Sequence, residues 1–363
     1  MHMLNEQTIK RMKKLTEAHG APGFEDDVRE IMKDELSQFS DEIVYDGLGG
    51  IFAVKKSSND NAKKVIIAAH MDEVGFMVSH IQDNGLLKFV PLGGWSTDVI
   101  LAQKLEVKAS SGDYYTGVVG SVPVHFRKQE SKGGKPKVED MLLDVGASSK
   151  EEVEGMGIEL GDSIVPKVEF EQIGPKDSAR YLAKAWDNRY GCLVAIEVLE
   201  ALKDVQLDFD LYVGANVQEE VGLRGAKASS NMIKPDIAFV VDCSPANDML
   251  GKDDDMGKLN NGTLLRIMDG TMILSPQMKT LLKSTADDHD IKYQYYRSPG
   301  GTDAGSIHLS NEGVLSAVVG ICSRYIHTSY SIIDSRDYEA ARSLLTILIK
   351  SLDDKKIESL YHS

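Results

Sequence analysis

The chain has 363 residues, 56 of them acidic and 41 basic, for a formal net charge of −15. That length supplies material for a large core and for two domains, while the acidic balance and the lack of a segregated basic face exclude nucleic acid as an expected partner. Cys192, Cys243 and Cys322 show no CxxC spacing, so neither a disulfide framework nor a thiolate zinc knuckle is expected; with no leader-like segment and no apolar run of membrane length, a cytoplasmic protein outside the membrane is expected.

In chain order, residues 5–39 predict helices broken at Gly20-Ala-Pro-Gly23, with Ile9, Met12 and Leu15 on one stripe and Val28, Ile31, Met32 and Leu36 on another. A strand–turn–strand unit follows at Ile43 to Tyr45, Asp46 to Gly50 and Ile51 to Val54, and then the run Val65 to Ala69 leads into His70. From Val74 to Lys184 the texture changes to short alternating runs, such as Leu105 to Lys108 and Tyr115 to Val119, separated by turn residues. This predicts an all-β module. Its Gly-rich loop carries Arg127, Lys128, Lys132, Lys135 and Lys137 among Glu130, Glu139 and Asp140, the mixture of a solvated loop, with a gate near a substrate path as the alternative. From Ala185 onward helix and strand patterns alternate, with a helix near 188–203 and strands near 211–217 and 237–242. Residues 1–73 and 185–363 are therefore expected to form one discontinuous α/β domain, and 74–184 a β domain inserted into it. Asp253-Asp-Asp-Met-Gly257 has neither the glycine position nor the terminal glutamate of a calcium loop.

Four apolar runs end at or near metal-binding residue types: Val65 to Ala69 at His70, Leu211 to Val217 before Glu219-Glu220, Ile237 to Val241 at Asp242, and Ser316 to Ile321 before His327. Open α/β sheets collect their functional groups beyond the carboxyl ends of the strands, so these side chains are expected to converge. Asp72 lies two residues after His70, a spacing that permits a carboxylate helper of a ligating histidine or an ordinary turn hydrogen bond. Asp187 either caps the following helix or bridges two metals. The adjacent Glu219 and Glu220 repel each other unless a cation relieves them; one can ligate while the other serves as general base, or both can form a solvated helix N-terminus.

Taken together, Ala69-His-Met-Asp-Glu-Val-Gly75, Lys184-Ala-Trp-Asp-Asn-Arg189, Gln218-Glu-Glu-Val-Gly222, Val241-Asp-Cys243, Gly300-Gly-Thr-Asp303 and Arg324-Tyr-Ile-His327 resemble the glutamyl aminopeptidase family of dinuclear metallopeptidases, the tetrahedral aminopeptidases. Thr263-Leu-Leu-Arg266, Tyr293-Gln-Tyr-Tyr296 and Ile321-Cys-Ser-Arg-Tyr325 are most similar to its bacterial glutamyl members, with Cys322 where broader members carry proline. The resemblance implies a zinc-peptidase-like central mixed sheet flanked by helices, with the insert a barrel-like dimerisation domain. It implies two divalent metal ions, zinc first with cobalt or manganese as alternatives. His70 and Asp242 would complete one site, Glu220 and His327 the other, and Asp187 would bridge them; Glu219 would be the general base and Asp72 the helper of His70.

The expected activity is removal of N-terminal residues, glutamyl or aspartyl, from peptides with a free N-terminus, by a homo-oligomer assembled as a tetrahedral dodecamer of dimers. Arg266, interrupting a strand-like run, is the first candidate to read an acidic side chain. Lys252, Gly301 and Thr302 are further candidates for the substrate pocket. Alternatives are a leucyl or deblocking aminopeptidase, a deacylase or carboxypeptidase on the same scaffold, and a non-catalytic oligomeric binding protein.

Overall fold

The computed structural model describes residues 4–40, 42–120, 136–249, 251 and 256–361. Lys252, the acidic run at 253–255 and most of the basic loop, Arg127 to Lys135, lie outside these residues.

The chain starts with α1 (Glu6–Glu17), capped where the Asn5 side chain accepts from the Thr8 N–H, and α2 (Asp26–Leu36). The hairpin of β1 (Glu42–Tyr45) and β2 (Ile51–Lys55) precedes β3 (Lys64–His70). Six strands then close into a barrel: β4 (Gly75–Ile81), β5 (Leu87–Leu92), β6 (Lys104–Lys108), β7 (Tyr114–Val119), β8 (Leu143–Asp144) and, after the short helix α3 (Lys150–Gly155), β9 (Ser163–Pro166). Alternate residues such as Phe76, Val78, Leu105, Val107 and Ile164 point inward and form the barrel's own core.

Next come β10 (Glu171–Ile173), β11 (Arg180–Ala183), α4 (Trp186–Ala201), β12 (Asp210–Asn216), α5 (Arg224–Ile233), β13 (Ile237–Pro245), β14 (Thr263–Met268), α6 (Pro276–Asp288), β15 (Tyr293–Arg297), α7 (Asp303–His308), β16 (Leu315–Ser323), β17 (Ser331–Asp334), α8 (Ser335–Ser351) and α9 (Asp354–Tyr361). The main sheet runs β1-β2-β12-β3-β13-β16-β14-β15. Its centre, β12, β3, β13 and β16, is parallel, and β2 and β14 flank it antiparallel. β3 reads as an unbroken apolar run because both its faces are covered: Val65, Ile67 and Ala69 join the core under α4, while Ile66 and Ala68 join the one under α5 and α7. This is the expected fold class, a mixed α/β sheet flanked by helices together with an all-β barrel.

The segment 74–184 is not all barrel. The barrel strands lie within 75–166, whereas β10 and β11 pair with β17 in a separate three-stranded sheet. Composition marks these strands as β but carries no information about their pairing partner. Between barrel and α/β part, Asp27 at the start of α2 receives Lys108 Nζ at 2.6 Å and the Tyr114 hydroxyl at 2.5 Å, and His19 Nε2 lies 2.8 Å from Ser163 Oγ. Among the described residues no helix is long and apolar enough to cross a membrane.

Candidate metal centre

Register in the parallel sheet brings the strand ends level. His70 pairs with Asn216 at the end of β12, three residues before Glu219, and Val240 pairs with Ala68, so Asp242 lies beside His70. His327 follows β16 on the tight turn after Ser323, with a left-handed φ of 57°. Asp187 sits at the first turn of α4, where its non-helical backbone (φ −86°, ψ 102°) turns the carboxylate out of the helix. The N-cap position itself falls on Ala185, not on Asp187. Asn188 fixes this turn by donating to the Val241 carbonyl at 2.6 Å and accepting from Gly191 N–H at 3.2 Å. Gly191 is required here, since a Cβ would meet Ala69 at 2.9 Å and Asn188 at 2.5 Å.

The two oxygens of Asp187 face two different histidines. Oδ1 is 3.2 Å from His70 Nε2 and Oδ2 is 3.3 Å from His327 Nε2. On the first side, His70 Nε2 is also 3.9 Å from Asp242 Oδ1 and 4.0 Å from Glu219 Oε2; on the second, His327 Nε2 is 3.3 Å from Glu220 Oε2. The donors of His70, Glu219 and Asp242 lie within 4.8 Å of one another, and so do those of Asp187, Glu220 and His327. All seven residues expected at the centre, Asp72 included, are thus brought together.

Asp72 meets His70 through both its backbone carbonyl and its carboxylate. His70 Nδ1 is closer to its backbone carbonyl, at 3.1 Å, than to its carboxylate, at 3.5 Å. The carboxylate also accepts the N–H of Glu219 on Oδ1 and that of Glu220 on Oδ2, both at 3.0 Å. One short acid therefore fixes the histidine through its carbonyl and the glutamate pair through its side chain. Sequence spacing shows that Asp72 is near His70 but not which of its oxygens is used.

At this centre buried acids outnumber the two histidines, and burial works against their ionisation. Burial, with the Asp187 charge adding to it, pushes Glu220 up to about 8 and Asp242 up to about 7, and burial likewise raises Glu219 well above the carboxylate range. Burial opposes the ionised form of Asp187, but hydrogen bonds from His327 and His70 overcome it and hold this acid low. Burial also opposes charging of His327, yet Asp187 and Glu220 raise it to about 9. Glu220 Oε1 is buried and finds no hydrogen-bond partner. An orphaned carboxylate oxygen, two imidazoles and a surplus of acids fit divalent cations of the zinc class.

The other expected pocket residues differ in how far their polar groups are engaged. Arg266 is buried in β14; Nη1 reaches Asp269 Oδ2 at 3.2 Å, Nη2 reaches Ser244 Oγ at 2.7 Å, and Nε has no partner. Thr302 is buried with an unpartnered hydroxyl, while Gly301 is exposed and packs where a Cβ would strike Thr271. Asp303 stands in the Gly300-Gly-Thr-Asp303 motif, to which no individual role is attached by sequence. It is buried, receives Asn216 Nδ2 at 2.8 Å, and is raised by burial to about 7; its charge also acts on Asp242 and Glu219. Only its place in Gly300-Gly-Thr-Asp303 could have signalled it.

Comparison with known proteins adds a family. The family model described as M42 glutamyl aminopeptidase matches residues 49–344. The glutamyl aminopeptidase of Lactococcus lactis is 42% identical over 355 residues, covering 98% of this chain and 99% of that protein. Among solved structures, the TET aminopeptidase of a marine sediment Thaumarchaeota archaeon superposes with a TM-score of 0.93 at 35% identity, over 98% of this chain and 99% of its own. The TET1 peptidase of Pyrococcus horikoshii, described as assembling into a tetrahedron or a large octahedral shell, gives 0.85 at 28% identity over 95% and 100%.

Proposed function

Since the chain belongs to the M42 glutamyl aminopeptidase family and is accordingly an aminopeptidase, we propose that it works with two divalent metal ions held by His70, Asp242, Asp187, Glu220 and His327, with Glu219 as general base. The observation that carries this reading is Asp187, whose two oxygens face histidines belonging to two separate donor groups. At this site bound cations would supply Lewis acidity, polarising the scissile carbonyl and acidifying the attacking water. Glu219 takes the water's proton and delivers it to the leaving amine. Asp72 holds both glutamates in place through their backbone N–H groups. The ligand set favours zinc, with cobalt and manganese as substitutes, since geometry and availability select among them. Three buried free cysteines suit a reducing cytoplasm.

The proposed substrates are peptides with a free N-terminus and a glutamyl or aspartyl first residue, as the Lactococcus relative's name suggests. At net charge −15 the chain repels such peptides at long range, so a local cation is needed. Arg266 is the candidate, because its Nε is unpartnered and Ser244, which it binds, lies two residues beyond Asp242. A peptide panel with free and acetylated N-termini, loaded with zinc, cobalt or manganese, tests both parts. Acetylation should abolish release, and Arg266→Ala should lower kcat/KM for glutamyl peptides about 100-fold more than for leucyl ones. Equal losses on both would mean that Arg266 serves only Asp269, and turnover of blocked peptides would favour a deacylase.

We further propose that the barrel mediates self-association, as a dodecamer built from dimers. It contributes none of the candidate ligands and exposes Val90, Val118 and Leu160. Because β4 and β9 pair at Phe76 and Ile164, a short linker can replace the strands between them. That variant should scatter light as a smaller assembly; a full-size oligomer would defeat the assignment.

A further inference from the structure

Gln218, Glu219 and Glu220 present three consecutive N–H groups, and each lies on a buried carboxylate oxygen. Asp72 takes the last two, and Glu25 Oε1 takes the first at 3.0 Å. Glu25 is only 3% exposed and stands at the N-cap position of α2, yet its side chain makes no bond to its own helix. It turns the other way, and the same Oε1 also accepts Gly23 N–H at 2.8 Å. One oxygen thus staples the Gly20-Ala-Pro-Gly23 turn to the loop that carries the glutamate pair. Gln218 has a left-handed φ of 56°, a conformation that a non-glycine residue holds only where its surroundings enforce it.

We propose that Glu25 is a positioning residue for Glu219, acting through the Gln218 amide. The proposal rests on the reading of Glu219 as general base. The turn is anchored elsewhere as well: the Gly20 carbonyl accepts Glu73 N–H at 2.9 Å, and Arg29 N–H donates to the Glu25 carbonyl at 2.9 Å. Glu25 therefore gives the loop a fixed reference on the body of the protein, opposite the hold exerted by Asp72. What the contact requires is an acceptor oxygen at the right reach, not a negative charge. In keeping with this, burial, with Asp72's charge adding to it, pushes Glu25 up to about 7.

Reach and charge are separated by two substitutions in the full-length, zinc-loaded enzyme. Glu25→Gln keeps the oxygen and its reach but removes the charge; Glu25→Asp keeps the charge but draws the oxygen back by one methylene. Using the free-amine peptide that the wild type cleaves fastest, Glu25→Gln should keep kcat within about 3-fold. Glu25→Asp should lower kcat about 10- to 100-fold, with KM within about 2-fold and bound zinc unchanged, as expected when a reacting group is misplaced by about an ångström. Wild-type kcat in Glu25→Asp, a change confined to KM, or loss of zinc would overturn the proposal. So would a Glu25→Gln enzyme as slow as a Glu219→Gln enzyme, and this arm decides even if Glu25→Asp does not fold. Glu219→Gln is the control: normal turnover there removes the base assignment itself, whereas an inactive Glu219→Gln beside a fully active Glu25→Asp removes only the role of Glu25.

Discussion

Glu219→Gln is expected to bind as much metal as the wild type and to lose about 10³-fold in kcat, the middle of the range for removing a general base. The amide keeps the shape of the side chain and leaves the backbone N–H bonds to Asp72 untouched, so the loop holding it has no reason to move. What it loses is the ability to accept the water's proton. The geometry makes this variant informative, because Glu219 Oε2 lies 4.0 Å from His70 Nε2 and falls in the same donor group as His70 and Asp242. Metal analysis alongside steady-state kinetics separates the roles. Loss of metal would make Glu219 a ligand, and near-normal turnover with full metal would remove it from the chemistry.

Glu220→Ala should give the opposite signature, with bound metal falling to about one ion per chain and activity lost with it. In the protein itself Glu220 Oε1 is buried without a partner and its Oε2 is 3.3 Å from His327. Removing the side chain leaves His327 with Asp187 alone on that side of the centre. Chelation of the wild type should reproduce the loss of activity, and it should also lower the melting temperature, because ions that bind only the folded chain stabilise it by about 2.7 kcal/mol at a hundredfold excess over Kd. Added zinc, cobalt or manganese should restore the wild type but not Glu220→Ala. A chelated wild type of full activity would rule out the metal reading, and a Glu220→Ala protein with full metal would remove Glu220 from the ligand set.

The parts of this site that could be read in the sequence are those carried by buried parallel strands. Val65 to Ala69 and Ile237 to Val241 are apolar on both faces, so their ends mark one edge of the sheet, and His70 and Asp242 stand there. Contacts made by backbone atoms or across the fold left no comparable trace. Nothing in the order of residues says that the Asp72 carbonyl, not its carboxylate, is closer to His70, or that Glu25 reaches Gln218 193 positions away. Arg266 was legible as an arginine out of place in a strand, but not its commitment to Asp269, which lies beyond the end of β14 and turns back onto it. The short strands β10 and β11 could be recognised as strands and not as partners of β17, since three or four residues with one exposed face specify pairing weakly.

The wall of the centre is not drawn from the α/β part alone. Gly93, on the connection after β5, leaves no room for a Cβ beside Val74 and Glu220, and Gly94 lies against the His327 ring. A stretch of chain that belongs to the barrel thus abuts two members of one donor set, Glu220 and His327. For protein engineering this means that the barrel is a poor candidate for exchange between homologues: a transplanted barrel would have to reproduce this glycine pair and its path, or the recipient would inherit a damaged metal centre.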